Sequence, residues 1–431
     1  MRSLTCDVLV IGSGPAGLAA AYEAKKHGAE DVLLLERNDE LGGILQQCIH
    51  TGFGVREFGE DLSGPEYAWR WIARARSADL RVLSETMVLG VDHSRRVVAS
   101  SRALGLVEIL PRALVLAMGC RERPRGALAI PGSRPAGVFT AGTAQRLVNI
   151  EGYMPGERYV ILGSGDIGMI MARRLTLEGA QVVAVCEILP YISGLRRNLV
   201  QCIRDFDIPL HLCTTVTEVR GRDRVESVIV SRVDEQWRPI AGTRQEIPCD
   251  TLLLSVGLVP ENELTRMAGA TIDPATGGPV VDEGHGTDVP GIFAAGNVVH
   301  VYDLVDDVSA AARIAGRSAG RYVRQGAPEA GQRIRLRAGE NVRAVVPQIL
   351  GLAALEEGPV VLQFRARHPV EGPVRAELVM GEGAGARVLL SRRHRYVRPA
   401  EMVTMSLPPA LAAELAAAGD SARDLAVRII E

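Results

Sequence analysis

The sequence predicts an α/β protein with two Rossmann-like dinucleotide-binding domains and a small, mostly-β C-terminal domain. Three observations carry this reading. A strand–glycine–helix–strand unit opens the chain around Gly12, Gly14 and Gly17. The same unit recurs around Gly163, Gly165 and Gly168. Beyond Pro328 the apolar residues fall partly into period two, and no glycine fingerprint follows.

Each element follows from local pattern. Residues 6–11 are a largely apolar run, as expected of a parallel strand covered on both faces. Residues 12–17 form the turn, residues 18–27 an Ala-rich helix and residues 31–36 the second strand. Ser63-Gly64-Pro65 reads as a helix start, with Tyr67 and Trp71 on one face at i, i+4 spacing. Residues 81–117 alternate through short strand-like runs, which predicts a β-meander ending in the apolar strand 113–117. Residues 159–162, 163–168, 169–178 and 181–187 then repeat the opening strand, turn, helix and strand. The apolar strand 251–255 ends this second unit at Val256-Gly257. The chain returns through residues 291–297 to a helix over roughly 308–324, and Gln325-Gly326-Ala327-Pro328 marks a boundary. Strand-like runs at 360–365 and 375–379, an Ala-rich helix near 409–418 and a last strand at 425–430 complete the chain.

Composition narrows the function classes. With 431 residues and 47% hydrophobic content, the chain can bury a sizeable core in two to four domains. A formal net charge of −2 without long blocks of one sign favours neither nucleic acid nor an anionic membrane as partner. No apolar run approaches the roughly 20 residues of a bilayer span. The immediate entry into a strand leaves no room for a signal peptide, so a cytoplasmic location is expected. The seven cysteines are scattered without a CxxC pair, and no His/Asp/Glu grouping has metal-ligand spacing, so no metal site is expected.

The two fingerprints have a stated chemistry. In Gly12-x-Gly14-x-x-Gly17 the first glycine permits the tight turn, the second lets the backbone approach a pyrophosphate, and the third lets helix and strand pack closely. The helix N-terminus, including Pro15 and Ala16, offers N–H groups and positive partial charge to the phosphates. Glu36, at the end of the second strand and followed by Arg37, is placed to hold a ribose diol. Gly163-x-Gly165-x-x-Gly168, with Asp166 and Ile167 inside it and Glu187 beyond, repeats the arrangement. Two fingerprints imply two dinucleotides. Glu187 should bond the ribose hydroxyls of NAD and repel a 2′-phosphate, which favours NADH over NADPH, while Arg196 and Arg197 leave NADP open.

Leu41-Gly42-Gly43, Ala117-Met118-Gly119, Ser255-Val256-Gly257 and the stretch from Thr287 to Gly296-Asn297 resemble the pyridine-nucleotide/FAD oxidoreductase family over roughly residues 5–325. The resemblance implies an NAD(P)H-binding domain, residues 121–250, inserted in a split FAD-binding domain, residues 1–120 and 251–327, with residues 328–431 as the C-terminal domain. It assigns Gly12, Gly14, Pro15, Ala16, Gly17, Glu36, Arg37, Gly43, Val88, Ala117, Met118, Gly119, Gly296 and Asn297 to FAD, with Asn297 where the family usually has Asp. It assigns Gly163, Gly165, Asp166, Ile167, Gly168 and Glu187 to the nicotinamide dinucleotide, with Gly257 as a further cofactor-binding position. The disulfide reductases of the family carry a CxxxxC pair after Leu-Gly-Gly; here only Cys48 follows, so dithiol relay chemistry is not expected. The segments around Cys48, 118–123, 140–145 and 297–303 resemble more closely the flavoprotein subunits encoded beside anaerobic glycerol-3-phosphate dehydrogenase, and the flavin subunits of opine, hydroxyproline and cyanide-forming amine oxidases.

Cys48 reads either as a single redox thiol near the flavin or as a buried small residue beside it. Polar candidates near the expected flavin face are His50, Gln145, His300, Asp303 and Asp306, any of which can relay a proton or orient a ring, and each of which is also an ordinary polar residue on a loop or helix start. Three functions follow. One is a subunit that moves hydride between NAD(P)H and FAD, with electrons exchanged with a partner dehydrogenase subunit carrying iron–sulfur or a second flavin. Another is a flavin dehydrogenase oxidising a small-molecule substrate, an amino acid, opine or hydroxy acid, at its own FAD. The third is a flavin-bearing assembly module. For the C-terminal domain, partner docking and homo-oligomer formation are the two roles expected.

Overall fold

The computed structural model describes residues 2–327, 331–381 and 386–431. The expected boundary at Pro328 therefore lies outside the described residues. The chain forms two compact units, one of Met1–Gln46, Thr51–Cys120 and Pro260–Glu431, the other of Gln47–His50 and Arg121–Val259.

The first unit is built on a parallel sheet. Arg2–Ile11 lies at its centre, paired with Val32–Leu35 on one side and Gly105–Leu116 on the other. Its apolar residues Val8, Leu9 and Val10 are fully buried, because both faces of the sheet are covered. Arg81–Leu83 pairs in parallel with Val32–Leu35, so it extends this sheet instead of opening the meander, which begins at Thr86–Val91. Gly105–Leu116 divides its length. Its first half pairs antiparallel with Val97–Ser101, and its last residues pair in parallel with Ile292–Ala294.

The helices Pro15–Lys26 and Val305–Gln325 cover one face. Their approach is so close that a Cβ on Gly316 would fall 2.2 Å from the Ala20 carbonyl oxygen. The helix Gly64–Ser77 starts with a full capping box between Ser63 and Glu66 and drives Tyr67 and Trp71, both fully buried, into the same core.

The C-terminal residues pack within this unit. One sheet runs Ile349–Gly351, Arg333–Ala338, Asp424–Ile430, Val374–Met380 and Arg387–His394; a second runs Val342–Val346, Val360–Ala366 and Val403–Leu407. Val346 joins the core that contains Leu9, Leu33 and Val281, and Val281 O accepts from the backbone N–H of Gln348 and of Ile349.

The second unit repeats the parallel design. Its sheet orders Val138–Thr140, Thr251–Leu254, Arg158–Leu162, Gln181–Cys186 and Leu210–His211. Because Thr251–Leu254 pairs with Arg158–Leu162, the second unit extends past residue 250 to Val259. A three-stranded antiparallel sheet of Thr214–Arg220, Ser227–Arg232 and Gln245–Pro248 adds to it. No helix among the described residues is long and apolar enough to cross a membrane.

Candidate functional site

The first fingerprint is a turn that only glycines can make. Gly12 has φ +100°, and a Cβ there would lie 2.5 Å from the Ala117 carbonyl oxygen. A Cβ on Gly17 would lie 1.7 Å from the Gly12 oxygen, so the helix Pro15–Lys26 can start hard against the strand end. Gly14 is the N-cap and supplies no side-chain cap; a Cβ on it would meet nothing within 4 Å. Backbone donors at that helix end thus open onto free space, the geometry that receives an anion. Gly43 and Gly296 border this space. A Cβ on Gly43 would sit 2.9 Å from Gly14 Cα, and one on Gly296 would sit 2.7 Å from Ala16 Cβ.

Glu36 is buried, and its Oε2 accepts from Ser13 N at 3.1 Å and Ser13 Oγ at 2.5 Å, its Oε1 from Asn38 N at 2.9 Å. Arg37 is exposed. Ala117 N donates to Ile11 O, and Gly119 O accepts from Glu261 N, which fixes Ala117-Met118-Gly119 at the strand end. Val88 buries its side chain in the core.

The second fingerprint copies the first. Cβ atoms on Gly163 and Gly168 would meet Ser255 at 2.1 Å and 2.7 Å, and Gly165 is an N-cap without a side-chain cap. Glu187 takes the place of Glu36: Ser164 N and Ser164 Oγ donate to its Oε2 at 2.9 and 2.6 Å. The separation in sequence is 23 residues in both cases. Leu189 N donates to the Glu187 Oε1 at 3.0 Å, as Asn38 N does to Glu36, and Glu187 differs in accepting one further bond, from Ser193 Oγ at 2.9 Å. Asp166 Oδ1 accepts from Leu195 N and Asn198 Nδ2 at 2.8 and 2.6 Å, which spends its charge on the loop after Glu187. Ile167 is half-buried, and the Gly257 carbonyl accepts from Arg123 N.

The remaining candidates separate by unit. Cys48, His50 and Gln145 belong to the second. Gln47 Nε2 donates to Gln145 Oε1 at 3.0 Å and to Gly142 O at 2.9 Å, and Cys48 Sγ lies 3.8 Å from Gln145 Oε1. Burial pushes the Cys48 thiol up to about 12, so at neutral pH it is protonated and a weak nucleophile. Glu122, which no spacing in the sequence singles out, holds this arrangement. Both of its carboxylate oxygens accept from Gly142 N at 2.9 Å at the start of the helix Ala141–Asn149. Burial pushes its carboxyl above the usual range.

His300, Asp303 and Asp306 belong to the first unit. His300 lies tilted at 46° against Tyr302 with ring centroids 4.0 Å apart, and burial together with the Arg365 charge pushes its imidazole down to about 3. Asp303 Oδ1 accepts from Arg365 Nη2 at 2.7 Å, and Asn297 Oδ1 accepts from Tyr302 N at 3.0 Å. His300 Nε2 and Asp306 Oδ1 are buried with no partner. Buried polar atoms of that kind are rare in a finished fold and fit a site completed by a polar ligand. Among the described residues no cluster of His, Cys, Asp and Glu can hold a metal.

The comparisons with known proteins agree with this geometry. The family model described as pyridine nucleotide-disulphide oxidoreductase matches residues 6–319. An opine oxidase subunit of Agrobacterium tumefaciens (strain Ach5) is 28% identical over 68% of this chain and 61% of its own length. Hydrogen cyanide synthase subunit HcnB of Pseudomonas protegens is 25% identical over 62% of this chain and 59% of its own. The matches thus span about three fifths of these relatives. Among solved structures, thioredoxin reductase of T. acidophilum superposes with a TM-score of 0.60 at 21% identity, covering 73% of this chain and 98% of that one. At that identity the likeness speaks for the fold.

Proposed function

Because the chain belongs to the pyridine nucleotide-disulphide oxidoreductase family, and is an FAD-dependent oxidoreductase that binds a pyridine nucleotide, we propose that it moves hydride between NADH and FAD as one subunit of a larger dehydrogenase. What carries the reading is the duplicated geometry: two helices whose N-termini lack side-chain caps, each behind a Ser–Glu pair of the same spacing. In this reading the N–H groups at Gly14–Gly17 hold the FAD pyrophosphate, Glu36 its ribose, and Asn297 its ribityl chain. The corresponding groups at Gly165–Gly168 and Glu187 hold NADH, and the carboxylate of Glu187 disfavours NADPH. FAD, when bound, supplies the hydride chemistry; the chain supplies binding, orientation and a dry surrounding.

The neutral Cys48 thiol supports a mechanism without a thiol relay. Within the second unit Gln47 and Gln145 then orient Cys48; within the first, His300, kept neutral by burial, offers the flavin a hydrogen bond without a charge. Asp303 is the remaining polar group of the first unit proposed for the flavin face, and His50 remains the further polar candidate of the second unit. The relatives named as subunits favour electron exchange with a partner chain. Their names also support a second reading, in which an amino acid, opine or hydroxy acid is oxidised at this chain's own FAD. Anaerobic rapid mixing separates the two. Bleaching of the flavin by NADH but by no such substrate supports the first reading, and bleaching by substrate in the isolated chain supports the second.

A further inference from the structure

The strand Val360–Ala366 faces two ways. Leu362 and Phe364 are buried in the C-terminal core. The alternate residues, Gln363 and Arg365, turn instead toward the irregular stretch that follows Asn297. Arg365 Nη2 donates to Asp303 Oδ1 at 2.7 Å and to Val301 O at 2.8 Å, and Arg365 Nη1 donates to Pro399 O at 3.0 Å. Tyr302 Oη donates to Gln363 Oε1 at 3.1 Å, while Tyr302 N donates to Asn297 Oδ1. His300 lies against the Tyr302 ring with Nε2 buried, and the Gln363 side chain acts on its imidazole as well. Every tether on residues 301–303 from this strand comes from more than 60 residues further along the chain.

We propose that the C-terminal segment is a built-in part of the first dinucleotide site, with Arg365 and Gln363 as positioning residues for FAD. Through Val301, Tyr302 and Asp303 they hold Asn297 and the His300 imidazole in the arrangement that receives the flavin. The inference rests on the reading that the first fingerprint binds FAD. A planar guanidinium suits the task, since one fork fixes a backbone carbonyl and a carboxylate together. A loop without a hydrogen-bonded ladder of its own keeps one conformation only through such ties.

The test uses the full chain. Arg365→Gln and Gln363→Leu are compared with Arg428→Gln, which breaks the Arg428–Glu377 pair (3.0 and 2.8 Å) inside the C-terminal sheet. The readouts are the FAD dissociation constant, the visible circular dichroism of bound flavin and the melting temperature of the apoprotein. Arg365→Gln and Gln363→Leu should each weaken FAD at least tenfold and alter the flavin dichroism. Asp303→Asn added to Arg365→Gln should recover part of the loss by removing the stranded charge. Arg428→Gln, at an equal drop in melting temperature, should leave FAD affinity within twofold. Wild-type affinity and dichroism in the first two variants, or an equal effect in the control, overturns the proposal. Should Arg365→Gln fail to fold, Gln363→Leu decides by the same readouts. A wild-type chain that binds no FAD overturns the underlying reading as well, which a failure confined to the variants does not.

Discussion

Replacing Glu187 by Gln probes the second site with almost no change in shape, and the hydrogen bonds around it set the expected size of the effect. Ser164 N donates to one carboxylate oxygen and Leu189 N to the other. Both are backbone donors that cannot reverse. Gln has one oxygen and one NH2 group, so in either orientation one backbone N–H faces another donor. The hydroxyls of Ser164 and Ser193 can rotate and adapt; the stranded N–H cannot. A buried unsatisfied donor costs about 1–3 kcal/mol, which at roughly 2–4 °C per kcal/mol for a unit of about 150 residues lowers the melting temperature by roughly 2–12 °C. The substitution also removes the charge that repels a 2′-phosphate. Loss of about 1.4 kcal/mol of discrimination would narrow the NADH-to-NADPH preference roughly tenfold. Thermal melts followed by titration with each nucleotide measure both effects. An unchanged melt would refute the hydrogen-bond reasoning, and an unchanged preference would show that Glu187 does not face the ribose.

Cys48→Ser should leave NADH-driven flavin reduction within a few fold, since the thiol is protonated at neutral pH; complete loss in a folded, FAD-loaded variant would give Cys48 a direct role. Glu122→Ala removes the acceptor of Gly142 N at a helix start and should cost about 1–2 kcal/mol, read by denaturant titration, with no change in m-value. Acid should destabilise the first unit through His285 and His300, whose imidazoles burial pushes down to about 4 and about 3. An unfolded histidine titrates near 6.5, so this stability is present above that pH and is lost as pH falls from there toward the folded values. Each histidine contributes up to about 1.4 kcal/mol per pH unit over that window. Asp282 and Glu283, whose carboxyls burial pushes up, act in the opposite sense. A melting temperature flat between pH 6.5 and 5 that stays flat in His285→Gln and His300→Gln would refute the assignment.

The two glycine turns were legible because their signals are local. Gly12, Gly14 and Gly17 declare a strand-to-helix turn within six positions, and their recurrence at 163–168 declares a second. The helix start at Ser63-Gly64-Pro65 and the shared face of Tyr67 and Trp71 follow from helix geometry alone. What the sequence withheld depends on pairing across distance. Arg81–Leu83 has the look of a meander strand, yet it joins the parallel sheet because Val32–Leu35 presents a free edge. Glu122 meets Gly142 across 20 residues and Arg365 meets Asp303 across 62, and no period or spacing encodes either contact. The alternation in Val360–Ala366 was visible, but an outward polar residue on a strand ordinarily faces water; only the packing of this strand beside Tyr302 turns Gln363 and Arg365 inward.

The central claim is that each fingerprint holds its own dinucleotide. The most direct measurement is an equilibrium titration of the cofactor-stripped chain with FAD and NADH, repeated on Gly14→Val and Gly165→Val. A side chain at Gly14 would fill the open space before the first helix, and one at Gly165 would approach Ser255 Oγ at 3.3 Å beside the second. The account predicts one FAD and one NADH per chain, with Gly14→Val losing FAD alone and Gly165→Val losing NADH alone. A single shared site, or two variants that lose both ligands together in folded protein, would contradict it.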